Sequence, residues 1–430
     1  MIRLLLTRRF GPLFAALFLG ALNDNFFKNA VLIFILFRLA EPAGINGGLL
    51  MPVGAGLFML PCFLFSATAG QLADHFDKSR LVRWTKGLEV VFMALCAGAI
   101  LAHSIWGMMA GLFLMGIQLA LFSPLKLAML PELLAEDEVL AGNGLVEAGT
   151  FLAILIGTIA GGLLVVTENG PLWTGVAMMV FAALGWVASW WVPSTGIHDA
   201  GVRVGPNIAA ETWKIMEYAH GHRGVFVAIL GISWFWGIGS VFLAEFPDLA
   251  KSTLGGDTRM VTLFMAMFTV GIGTGSIACA HVLKNKVSLK LVPWAAGAIA
   301  LFTFDLAVTC LWRGPAHVGV LPEATVPLTL FVASPHGAHI LIDLLGISGA
   351  GGLYAVSLYT YLQVRTEISH RARVIGATNV LNALFMVAGS VTVTGLLAHG
   401  LDIPAIFMVL AAATLLVALA LRLEFHTHPG

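Results

Sequence analysis

Twelve apolar runs, each near the length that spans a bilayer, leave this chain few folds to choose from. A helix rises 1.5 Å per residue and needs about 20 apolar residues to cross the hydrocarbon core. On that criterion spans are predicted near 12–38, 48–73, 81–101, 105–130, 139–166, 171–192, 224–250, 258–283, 288–312, 336–364, 374–398 and 403–422. Lipid offers backbone groups no hydrogen-bond partner, so continuous spans of this kind are helices and the fold class is all-α integral membrane. Charged residues make up 11% of the 430, about half the share of a soluble domain. Lys plus Arg and Asp plus Glu balance at 23 each, which gives no basic footprint for nucleic acid and no acidic tail. Cys62, Cys96, Cys279 and Cys310 lie in apolar runs without CxxC spacing and read as small core residues.

The basic, apolar amino terminus superficially resembles a signal peptide, but polar Asn23-Asp-Asn-Phe-Phe-Lys28-Asn29 interrupts it, so it reads as a retained first span. Positive residues stay on the cytoplasmic side. Placing both termini there collects Arg3, Arg8, Arg9, Lys78, Arg80, Arg83, Lys86, Lys126, Arg203, Lys214, Arg223, Lys284, Lys286, Lys290, Arg365, Arg371, Arg373 and Arg422 inside. Only Arg38, Lys251, Arg259 and Arg313 fall outside. The longest polar break predicts an amino-terminal six-helix bundle over 1–192, a cytoplasmic linker over 193–223 and a carboxy-terminal six-helix bundle over 224–430. The linker segment IAAETWKIMEYAHGHR fits either a helix on the membrane surface or a solvated one.

Two sets of six spans joined by a cytoplasmic linker resemble the major facilitator superfamily. Between the second and third spans, Gly70-Gln-Leu-Ala-Asp74-His-Phe-Asp77-Lys78-Ser-Arg80 is similar to that superfamily's loop signature, with His75 and Asp77 in place of a basic residue and Gly. Gly70 permits close helix approach, and Asp74 can meet basic side chains or a helix N-terminus. Gly70, Asp74, Lys78 and Arg80 are therefore the expected gating residues. The equivalent loop of the second half, from Gly275 to Lys290, keeps the Gly and the lysines but has Cys279 in place of Asp.

Ionisable side chains inside hydrocarbon cost several kcal/mol and usually face a cavity or a partner. Asp24 and Lys28 stand at i and i+4 on the first span, near mid-depth, with Asn23, Asn25 and Asn29 beside them. Either the pair neutralises itself to lock the bundle, or the cluster receives water or a zwitterionic ligand. Glu147 on the fifth span either lines the same cavity or sits hydrated at a helix end. Lys126 follows Ser123-Pro124 and is placed to snorkel or to hold a phosphate. Tyr359 on the tenth span and Asn379 and Asn382 on the eleventh complete the expected substrate-binding set. Asp305 and Asp343 rank lower, and the histidines show no metal-ligand spacing, so neither a metal nor a cofactor is expected.

The segments Gly20-Ala-Leu-Asn-Asp24-Asn25-Phe-Phe-Lys28-Asn29, Ser123-Pro124-Leu-Lys126 through Pro131-Glu132, Leu358 to Gln363, and Arg373 through Asn379 and Asn382 to Val387 resemble the bacterial lysophospholipid transporters. The likeness is strongest to transporter domains fused to acyltransferase and acyl-carrier-protein synthetase domains, and it departs at Ser357 and Tyr359. The resemblance implies movement of lysophosphatidylethanolamine and related lysolipids from the outer to the inner leaflet of a bacterial inner membrane for reacylation. It also implies membrane lipid and an acyltransferase/synthetase as partners. The rival within the same fold is a proton-coupled exporter of amphipathic drugs or metabolites. An enzyme is not expected: the acyltransferase His-x-x-x-x-Asp signature is absent, as is Gly-x-Ser-x-Gly.

Overall fold

The computed structural model describes residues 2–44, 47–196, 205, 208–284, 286–312 and 325–427. Arg203, Arg313 and the linker positions 197–204 and 206–207 therefore lie outside the described residues. Fourteen α-helices are found among them: α1 (Gly11–Phe34), α2 (Gly47–His75), α3 (Lys78–Leu101), α4 (Ile105–Leu133), α5 (Glu136–Val165), α6 (Gly170–Ser189), α7 (Ile208–Gly221), α8 (Arg223–Asp248), α9 (Thr258–Val282), α10 (Val292–Trp312), α11 (Leu328–Ala333), α12 (Pro335–Arg365), α13 (Arg371–Ala398) and α14 (Ile403–Thr427). All but α7 and α11 are long and apolar enough to cross a membrane, which makes twelve.

Local chemistry sets several boundaries. Asp77 caps α3 by accepting from the Arg80 backbone N–H at 3.0 Å, so that helix starts three residues before the apolar run predicts. Ser104 does the same for α4, and Asp257 for α9. The fourth and fifth spans, predicted to end near 130 and to start near 139, are parted by Leu134 and Ala135 alone. One π turn extends α1 through Leu39, where the Ala40 N–H reaches Ile35 O at 2.8 Å.

Several helices are apolar around most of their circumference. Trp84, Val91 and Leu95 on α3, Val180 and Leu184 on α6, and Leu415, Leu416 and Leu419 on α14 are exposed, the pattern of surfaces solvated by lipid. The chain forms two compact units. The first comprises Met1–Gly142, Gly149–Phe226 and Gln363–Ala383, and the second Asn143–Ala148, Val227–Leu362 and Leu384–Gly430. In the first, Phe26, Phe27, Val31, Met93, Met108, Leu112 and Met115 form the core between α1, α3 and α4. In the second, Phe242, Phe246, Phe264, Phe268, Phe331 and Phe407 pack as tilted or edge-on ring pairs.

Glycines decide how closely helices approach. A Cβ at Gly157 or Gly161 would stand 2.6 or 2.2 Å from the carbonyl oxygens of Leu22 and Phe26, so α5 rests directly on the backbone of α1. In the second unit a Cβ at Gly275 would lie 1.9 Å from Gly349 O, which brings α9 against α12 in the same way.

Candidate functional site

The polar residues of α1 point in several directions. Asn23 Nδ2 donates to Glu89 Oε1 at 3.1 Å, and Asn29 Nδ2 to Thr158 Oγ1 at 3.1 Å on α5. Lys28 Nζ donates to Asn25 Oδ1 at 3.2 Å, not to Asp24, and lies 5.6 Å from the centre of the Phe58 ring. Asn25 Nδ2 returns to Ala21 O at 2.9 Å. Asp24 is 6% exposed and its Oδ1 accepts no hydrogen bond. The charges of Glu89, Lys86, Lys126 and Lys28 all act on it.

Lys86 does not sit with the loop cations. It lies inside α3 at 0% exposure, with Nζ 2.7 Å from Glu89 Oε2, itself at 0%. Gln118 Nε2 of α4 donates to the same oxygen at 3.0 Å, and the Lys86 ammonium stands 4.5 Å from the Phe122 ring centre. A Cβ at residue 20 would fall 2.3 Å from Lys86 Nζ, so Gly20 makes the space that the ammonium occupies. This buried set of Asn23, Lys86, Glu89 and Gln118 borders Asp24 and joins three helices through charge-assisted hydrogen bonds.

Among the other expected substrate contacts, Lys126 on α4 is partly buried. Asn379 Nδ2 donates to Ser123 Oγ at 2.9 Å, which ties α13 to α4 within the first unit. Asn382 is buried in the same unit. Glu147 and Tyr359 belong to the second, where both are buried and Trp236 Nε1 donates to the Tyr359 hydroxyl at 2.7 Å. Asn143 Nδ2 also donates to Thr360 Oγ1 there, at 3.1 Å.

The gating residues form a second cluster of the first unit. Asp74 Oδ1 accepts from the Ala372 backbone N–H at 3.1 Å, and Oδ2 from the N–H of Arg373 at 3.2 Å and its Nε at 3.1 Å. The carboxylate thus caps the N-terminus of α13, where orphan N–H groups and the helix dipole favour negative charge. Gly70 lies one turn earlier, and a Cβ there would meet Ala372 O at 2.6 Å. Lys78 is buried with Glu132 of α4 at 2.9 Å, whereas Arg80 is exposed and gives Asp77 its capped backbone N–H. Burial works against the Asp77 charge. Hydrogen bonds from Ser194, Ser79 and the Arg80 N–H, with the Arg80 charge, outweigh it and hold the carboxyl below the usual range.

Residues 13–390 match the family model described as Major Facilitator Superfamily. The chain belongs to the major facilitator superfamily. Among the relatives of this facilitator, the lysophospholipid transporter LplT of Citrobacter koseri is 28% identical over 373 residues, covering 85% of this chain and 81% of its own. The LplT of Yersinia enterocolitica is 26% identical over 381 residues, covering 88% and 83%. Of solved structures, the human organic anion transporter MFSD10 superposes with a TM-score of 0.76 at 15% identity, covering 96% of this chain and 99% of its own. The proton:xylose symporter XylE gives 0.69 at 14%, covering 96% and 95%. These two likenesses show the fold, and the family match together with the LplT relatives makes the chain a multi-pass membrane protein.

Sequence reasoning missed three polar groups of this facilitator: the Lys86–Glu89–Gln118 set, the Asn143–Thr360 bond, and the pairing of His339 with Asp305. The first had a legible signal, since Lys86 and Glu89 stand at i and i+3 inside an apolar run. The others join distant segments and have no local mark.

Proposed function

We propose that this facilitator transports lysophospholipids, notably lysophosphatidylethanolamine, from the outer to the inner leaflet of a bacterial inner membrane for reacylation. The single observation that carries this reading is Asp24, a nearly buried carboxylate with one unpartnered oxygen, set among the charges of Lys28, Lys86 and Lys126. Such a site offers an anion to an ammonium and cations to a phosphate. Names borne by relatives that match most of the chain supply the lipid class.

In this reading Asp24 receives the headgroup ammonium, Lys28 and Lys126 the phosphate, and Asn25, Asn379 and Asn382 the remaining oxygens. Glu147 and Tyr359 are the substrate contacts proposed for the second unit. The acyl chain stays in lipid throughout, because moving it through water costs about 0.8 kcal/mol per CH₂. Alternating access is gated by Gly70, Asp74, Lys78 and Arg80, through making and breaking the cap on α13. Both termini are cytoplasmic, bundles over 1–192 and 224–430 flank the linker, and an acyltransferase/synthetase consumes the delivered lipid. The test is leaflet transfer of labelled lysophosphatidylethanolamine in proteoliposomes. Protein-dependent transfer, reduced about tenfold in Asp24→Asn, supports the proposal. No transfer above empty vesicles, or export of amphipathic cations driven by a proton gradient instead, overturns it.

A further inference from the structure

Far along the sequence from the α1 cluster, the second unit brings three metal-ligating side chains to one point. Asp305 of α10 and His339 of α12 meet with Oδ2 and Nε2 2.9 Å apart. Asp343, one turn further along α12, places its Oδ2 3.9 Å from the same Nε2. One ligand atom from each of the three falls within 4.8 Å of the others. We propose that Asp305, His339 and Asp343 form a binding site for a first-row divalent transition metal ion.

The argument begins with Asp343. Its side chain is 1% exposed, no donor among the described residues lies within hydrogen-bond distance of either oxygen, and its polar neighbours are the Asp305 carboxyl and His339 Nε2 at 3.9 Å. A carboxylate withdrawn this far from water, with a second carboxylate beside it, is strongly disfavoured unless a cation compensates the pair. The imidazole beside it is already engaged by Asp305, and a singly charged imidazolium leaves two carboxylates with one negative charge in excess. A divalent ion with neutral His339 brings the sum to zero. Nε2 then presents its lone pair to the ion while Nδ1 keeps the ring proton.

Geometry agrees with this chemistry. Ligand atoms about 2.0–2.2 Å from a tetrahedral ion stand about 3.3–3.6 Å from one another. The separations of 2.9 and 3.9 Å bracket those values and the third lies within 4.8 Å, a range that side-chain rotation can adjust. His339 and Asp305 are 43% and 47% exposed, which leaves a route of entry and a fourth position open to water, while Asp343 closes the inner side. One imidazole nitrogen with two carboxylate oxygens selects borderline ions such as Zn²⁺, Mn²⁺ or Fe²⁺; Mg²⁺ and Ca²⁺ prefer all-oxygen cages of higher coordination. Spacing along the sequence shows only half of this, because His339 and Asp343 share a helix and the third ligand comes from another.

The test uses the full chain in lipid nanodiscs after chelator treatment, titrated with Zn²⁺ against a chromophoric competitor, with Mg²⁺ as comparison ion. One Zn²⁺ per chain is expected, weakened at least about tenfold by Asp343→Asn, His339→Gln or Asp305→Asn. Glu41→Gln, in a turn of the first unit, serves as control and leaves affinity unchanged. Co²⁺ in place of Zn²⁺ should give a low-coordinate visible spectrum that His339→Gln alters. The spectrum and the partly exposed His339 and Asp305 variants decide the matter if Asp343→Asn fails to fold. The proposal is overturned if the wild type binds no stoichiometric Zn²⁺, if Mg²⁺ competes equally, or if affinity survives both the His339 and Asp305 substitutions. In each case the triad is a structural ion pair alone.

Discussion

Single residues carry the largest energies in this molecule where charge is withdrawn from solvent. Lys86 and Glu89 compensate each other at 0% exposure, so removing either strands a buried charge among Asn23, Gln118 and Phe122. Glu89→Leu or Lys86→Met alone should destabilise the first unit by about 3–5 kcal/mol, whereas the double substitution should recover much of that loss. Thermal unfolding of the three variants in one detergent checks it, and equal losses in all three would contradict it. Lys86 also marks the limit of reading by composition. The positive-inside rule counts any Lys near a predicted span end as a loop cation, and only the i, i+3 Glu89 hints otherwise. At Asp77 the sign of a pH effect follows from its partners. Its folded carboxyl titrates below the unfolded one, so its stabilisation is present above about pH 3.9 and fades as pH falls through the folded value. Asn caps helices as well as Asp does, which isolates the charge. The melting-temperature gap between wild type and Asp77→Asn should therefore be full at neutral pH and close in acid.

At the scale of elements, the contact between α2 and α13 is built from a carboxylate and two glycines. Asp74 takes three hydrogen bonds from the first residues of α13, while Gly70 and Gly376 let backbones meet, a Cβ at Gly376 falling 2.4 Å from Ser66 O. The Gly-x-Leu-Ala-Asp motif was plain in the sequence, but its partner lies 298 residues away and nothing local to Ala372 announces it. Losing charged hydrogen bonds worth about 1.5–3 kcal/mol should raise the population with this contact open by tenfold or more. Ser66 is buried and unpartnered against α13, so Ser66→Cys reports on that opening with little change in volume. Asp74→Ala should speed its alkylation by a water-soluble maleimide about tenfold over the native Asp74 background. An unchanged rate means the cap does not hold this element pair together.

For the whole molecule, the twelve spans were legible because bilayer thickness imposes one length on every crossing element, and the polar cluster on the first because charge is rare there. The interior arrangement was less so: helices apolar on most faces do not advertise which side meets protein, and glycine contacts such as Gly161 on Phe26 depend on the pairing they create. What the transport cycle reads is still tied to α1, and a headgroup series separates the roles proposed there. If Asp24 reads ammonium and Lys28 reads phosphate, the two substitutions differ in which lipid they penalise. Asp24→Asn should reduce transfer of lysophosphatidylethanolamine about tenfold, the loss of one charge-assisted contact of about 1.4 kcal/mol, and leave lysophosphatidylglycerol, which has no ammonium, nearly unchanged. Lys28→Met should reduce both, because both carry the phosphate. Monoacylglycerol, with neither charge, should move no faster with protein than without. Since specificity is a difference between two affinities, the ratio of the two lysolipid rates is the quantity to measure; a ratio that Asp24→Asn leaves unaltered would remove Asp24 from the headgroup site even if both rates fell.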